Sequence, residues 1–90
     1  MCLDAHRQLA VLAWQQQQLE TSIFHWQHIV AMDNMLEMAY EGLMRCYLSQ
    51  GKRNQALRQY NHYATLLQDE LGMAPGKPLQ LLYQQIIHSS

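Results

Sequence analysis

The stretch RNQALRQYNHYATLLQDELGMAPG, residues 53–76, decides how this chain folds. Ala56, Leu57, Tyr60, Tyr63, Ala64, Leu67 and Leu71 recur at spacings of three and four, which places them on one face of a helix. Gly72 supplies a left-handed stop, and Pro75 stands where the helix cannot be extended. Downstream, Pro78 pre-sets the first turn of a short helix whose inward positions are Leu79, Leu82, Tyr83 and Ile86. Upstream, Ser49-Gln50-Gly51 ends a helix striped by Leu36, Ala39, Tyr40, Leu43 and Tyr47. Before it, Thr21 is the expected N-cap of a helix through Ile23, Trp26, Ile29 and Val30 that ends at Asp33-Asn34. The first stripe is Ala5, Leu9, Leu12 and Ala13, closed by Gln15 to Gln18. No segment alternates apolar and polar residues as a half-buried strand does. The expected fold is all-α: five helices joined by short turns, neighbours antiparallel.

Composition narrows the function. Ninety residues make one small domain or a piece of a larger protein. Apolar residues are 49% of the chain and charged residues only 14%, against about 25% in an average domain. Such a surface suits contact with other protein. Six Lys plus Arg and a net charge of −1 provide no basic stripe, so nucleic-acid binding by this chain alone is not expected. Cys2 and Cys46 lack CxxC spacing and read as reduced thiols, Cys46 in the core. No run is long enough to span a membrane, the first ten residues lack the pattern of a signal peptide, and a cytoplasmic location is expected.

The helices repeat. An offset of 33 residues lays Gly51 on Gln18, the third helix on the first and the fourth on the second. That is close to the 34-residue helix-turn-helix unit of tetratricopeptide repeats. Tyr40, Leu43, Tyr47, Gly51, Ala56 and Tyr60 occupy the large, large, aromatic, glycine, small and aromatic places of the second unit. The first unit has Gln18 for the glycine, Ile23 for the alanine and Asn34 for the usual proline. The stretch from Ala39 to Ile87 also resembles the bacterial transcriptional activator domain of SARP-type regulators. The matching blocks are Leu43-Met44-Arg45-Cys46-Tyr47, Gly51, Ala56-Leu57-Arg58-Gln59-Tyr60, Leu67 to Gly72, Pro75, and Leu79 to Tyr83; residues 1–38 match loosely. The resemblance implies a right-handed tetratricopeptide-like stack of two helical hairpins with a capping fifth helix. It also implies a non-catalytic, protein-contacting part of a transcription regulator; the family's upstream winged-helix domain is not in this sequence, so the expectation is a fragment of a larger regulator or else a stand-alone module. The implied partner is that DNA-binding domain, RNA polymerase, or a second copy in a homodimer. A tetratricopeptide scaffold unconnected with transcription is the alternative, but the Leu-x-x-Glu-Leu-Gly-x-x-Pro tail is not something ordinary repeats need.

Candidate sites follow from the same pattern. In tetratricopeptide arrays the first helix of each unit lines an inner groove, which here assigns Gln8, Leu12, Gln15, Met38, Glu41, Arg45 and Leu48 to protein contact. Met32, Met35, Met38 and Met44 add an adaptable surface. His25 and His28 at i, i+3 suit a metal only with a third ligand from His62, Cys46 or Asp33, and they read more simply as polar-face histidines. Lys52, Arg53 and Arg58, with Arg45, read as a solvated turn. No nucleophile–base–orienter set and no phosphate-binding glycine loop is present, so neither enzyme chemistry nor a cofactor is expected.

Overall fold

The computed structural model describes residues 3–88, with side chains from Ala5 onward; Cys2 and the side chain of Asp4 lie outside the described part. Five helices follow one another: α1 Leu3–Gln15, α2 Leu19–Met32, α3 Glu37–Ser49, α4 Arg53–Leu71 and α5 Lys77–His88. Among the described residues there is no strand. Each of the first four helices packs on the next, and α5 closes the stack against α4 and α3.

The second helix of each unit fixes the repeat. α2 starts at Leu19 and α4 at Arg53, 34 residues apart. The period is therefore 34, one more than the alignment of Gly51 with Gln18 gives. The turns show why. Gln17, at φ 62°, and Gly51, at φ 76°, are the left-handed residues of the two hairpins. In both turns the next residue reaches back to the helix it has left. Gln18 N donates to Ala13 O at 2.8 Å, and Lys52 N donates to Tyr47 O at 2.8 Å. These are the same helix-closing motif, built once on glutamine and once on glycine. A side chain in the left-handed region costs about 1–2 kcal/mol. Gln17→Gly should therefore raise stability by up to about 1 kcal/mol, read as a higher midpoint in a urea melt.

With the period corrected, Ser22 rather than Ile23 stands where Ala56 stands in the second unit. Both are fully buried, since two helix backbones approach there and only a small side chain fits. The Ser22 hydroxyl is satisfied, donating to Ala10 O on α1 at 2.8 Å. Thr21 is no cap. α2 begins two residues earlier at Leu19, behind Gln18, whose side chain makes no capping bond.

The core is aromatic where the sequence places it. Tyr40, Leu43, Met44, Cys46 and Tyr47 of α3 are buried against Ala56, Tyr63 and Leu67 of α4, with Leu79, Leu82 and Ile86 of α5 behind. Tyr40 stacks on Tyr63 at 4.5 Å between ring centroids, and Tyr60 stacks on Tyr83 at 4.1 Å. Met44 is a core residue rather than part of an adaptable surface. Two apolar assignments reverse. α1 buries Ala10 and Ala13, leaving Leu9 and Leu12 about half exposed, and Leu71 faces outward at the end of α4. Alanines on the inner face let α1 lie close to α2, and the larger residues are left for the outer side.

Two polar ties hold the tail. Glu37, in the first turn of α3, accepts through Oε1 from Gly76 N at 2.9 Å and from the Tyr63 hydroxyl at 3.1 Å. Arg53 donates to Ile86 O at 2.8 Å and Ile87 O at 3.3 Å, so it serves the last carbonyls of α5 rather than solvating a turn. Gly72, at φ 63°, ends α4 as the sequence predicts.

Candidate interaction groove

α1, α2 and α3 together border a cavity of about 240 Å³ lined by Val11 and Trp14 of α1, Trp26 of α2, and Met38, Glu41, Gly42 and Arg45 of α3. Its shape depends on a glycine inside a helix. A Cβ at Gly42 would fall within the Trp26 indole, so the ring can lie flat on the α3 backbone only because position 42 has no side chain. Trp26 is 5% exposed and forms the floor, whereas Trp14 is 37% exposed and forms a wall. Trp26, on the apolar stripe of α2, is thus core, and Trp14, off the stripe of α1, is surface.

A shallower depression adjoins the cavity through Val11 and Met38 and is lined also by Arg7, Gln8, Leu12 and Gln15. Of the seven residues assigned to an inner groove, Met38, Glu41 and Arg45 line the cavity, and Gln8, Leu12, Gln15 and Met38 line the depression. Leu48 lines neither and packs partly buried against the core. Val11, Trp14 and Gly42 are the additions. The corrected 34-residue period recovers the first two, since it pairs Val11 with Arg45 and Trp14 with Leu48, where the 33-residue alignment selects Leu12 and Gln15; Gly42 enters because the Trp26 indole packs against it.

The rim is polar and internally paired. Arg45 donates to Glu41 Oε2 through both Nε (3.2 Å) and Nη2 (2.8 Å), an i, i+4 pair with side chains 50% and 30% exposed. A pair this exposed contributes little to stability, about 0.3–0.5 kcal/mol.

The other sequence candidates are placed elsewhere. His62 lies beside Tyr40 on the α4 side, with 6.2 Å between ring centroids. Asp33 accepts from Met35 N at 3.1 Å, which shapes the α2–α3 turn. Cys46 is buried and free; burial pushes its thiol up, the neighbouring Ser22 hydroxyl only partly offsetting this, and that keeps it protonated and unreactive. Neither His62, Asp33 nor Cys46 joins His25 and His28. Among the described residues no helix is long and apolar enough to cross a membrane.

Comparison with known proteins gives one result. No curated protein and no solved structure matches the chain. The family model of the bacterial transcriptional activator domain matches residues 1–87, which takes in both hairpins, the groove between them and the capping helix. The loosely matching first unit is thus part of the same domain as the second, and the chain belongs to the bacterial transcriptional activator domain family.

Proposed function

We propose that this chain is a non-catalytic protein-interaction module of a bacterial transcriptional regulator and that the α1–α3 groove is its contact surface. The observation that carries the reading is the groove itself. It is a concave apolar cavity with an aromatic floor and wall, bordered by the exposed side chains of Val11 and Met38 and, in the adjoining depression, Leu12. Concave apolar sites with a few polar groups at the mouth are where proteins take up anchoring side chains. Family membership supplies the setting in transcription. The occupant is another domain of the same regulator, a second protomer or RNA polymerase. Direct contact with DNA is disfavoured by the net charge of −1. The setting is cytoplasmic.

The test uses the regulator that carries this domain. Val11→Asp combined with Met38→Glu puts two charges into the groove at exposed positions, where folding is not at stake. If each loses a contact of about 1–2 kcal/mol, partner binding falls about 10-fold or more. Transcription from a reporter should fall with it while the helical circular dichroism melt stays in place. Unchanged transcription and partner capture would remove the groove from the mechanism.

A further inference from the structure

A second constellation lies across α1 and α2, away from the cavity-lining residues. His6 of α1 and His25 of α2 bring their Nδ1 atoms to 3.0 Å. His28, one turn further along α2, has its ring centroid 5.0 Å from that of His6. Phe24 backs the group, 5.3 Å from His25 and 4.6 Å from His28. The sequence offers His25 and His28 as a pair wanting a third ligand. The structure supplies His6, nineteen residues before His25 and brought there by the α1–α2 turn.

We propose that these imidazoles bind a divalent transition metal of the nickel, copper and zinc group, His6 and His25 chelating it and His28 closing on it. The 3.0 Å separation is the argument. With metal–nitrogen bonds of about 2.0–2.1 Å, two nitrogens at a right angle stand about 2.9 Å apart, and at a tetrahedral angle about 3.4 Å. The observed pair is held at the bite of a chelate, toward the tetragonal end that nickel and copper favour. Imidazole is a borderline ligand suited to all three metals.

Among the described residues no group of three His, Cys, Asp or Glu side chains is placed to hold a metal ion as it stands. The site is open: two donors converge, and the third arrives with the ion. His28 is exposed and three residues from His25 on the same helix, so a side-chain rotation off Phe24 turns it toward the metal, with water filling the remaining positions. The protons balance without a co-reactant. In the free pair one ring donates Nδ1–H to the other ring's Nδ1. On binding, that proton passes through water to Nε2 of its own ring, and both Nδ1 lone pairs face the ion.

Calorimetric titration of the whole chain with NiCl2, CuSO4 and ZnCl2 in a non-chelating buffer at pH 7.5 tests this. The background is Cys2→Ser, so that no thiol near the N-terminus competes. The expected result is one saturable site per chain, weakened at least 10-fold by His6→Ala and by His25→Ala, weakened less by His28→Ala and untouched by His62→Ala. Metal should raise the melting temperature of the background chain and not that of His6→Ala. His6→Gln, which keeps a hydrogen-bond donor toward His25, guards against a variant that merely unpacks α1, since it too should lose the site. Heats that do not saturate below millimolar metal, or a site that survives His6→Ala, would overturn the proposal. Neither outcome bears on the groove, whose test is transcription.

Discussion

Gly42→Ala should destabilise the domain, although alanine is the better helix former by about 1 kcal/mol. The new methyl would fall within the Trp26 indole, which is 5% exposed and fixed between α2 and α3. Overpacking of this kind costs about 1–3 kcal/mol, more than the propensity gain returns. A net loss of about 1–2 kcal/mol lowers the melting temperature by several degrees in a domain of this size. The ring has one way out, into the cavity it lines. A variant that keeps its melting temperature should therefore show a red-shifted tryptophan emission and a filled groove, with partner binding lost instead. Unchanged melting together with unchanged emission would mean that Gly42 does not set the indole's position.

Glu37→Ala should cost more, about 2–3 kcal/mol. It leaves the Tyr63 hydroxyl, on a residue 3% exposed, with only a 3.5 Å approach to Met35 O, and it leaves Gly76 N without its acceptor. Buried donors without partners cost about 1–3 kcal/mol each, and the half-buried position of Gly76 lets water recover part of that. The damage should be local. Amide exchange is expected to accelerate first in residues 73–88, because Glu37 ties the α4–α5 linker to α3. The same contact sets an alkaline limit. Burial first, then the Glu37 carboxylate, push the Tyr63 phenol up to about 12 from 10. The folded state favours the protonated phenol, so this contribution is intact below pH 10 and is lost as pH rises toward 12. In Glu37→Gln the carboxylate charge is gone, and urea midpoints measured from pH 9 to 12 should fall less steeply than in the wild type. Parallel slopes would show that Glu37 does not govern Tyr63.

The second unit was legible because its residues obey rules that act within one helix. Tyr40, Leu43, Tyr47, Ala56 and Tyr63 are spaced for one face, and Gly51 and Gly72 mark turns with the residue best suited to them. The first unit hides both signals. Its left-handed turn falls on Gln17, a residue with no special claim on that conformation, and its close approach is made by Ser22, a polar residue that enters the core only because Ala10 O accepts its proton. With neither marker visible, an alignment on glycine slips by one residue and sets Ile23 rather than Ser22 against Ala56. The groove was legible in part for a related reason. Met38, Glu41 and Arg45 follow from helix periodicity, and a 34-residue period carries Arg45 to Val11 and Leu48 to Trp14, where the slipped alignment names Leu12 and Gln15; His6 depends on which residue of α1 meets His25. Contacts between helices far apart in sequence are set by packing, and the spacing of a single chain does not record them.

The separation of the two tryptophans has a practical consequence. Trp26 sits in an apolar, water-poor setting and Trp14 in a half-wet one, so their emissions fall at different wavelengths. The domain thereby carries two optical channels. The bluer one moves to the red when the helices come apart and water reaches Trp26, and the redder one changes when something covers the groove wall at Trp14. Excitation of the unlabelled protein can thus distinguish occupation from unfolding in a single titration.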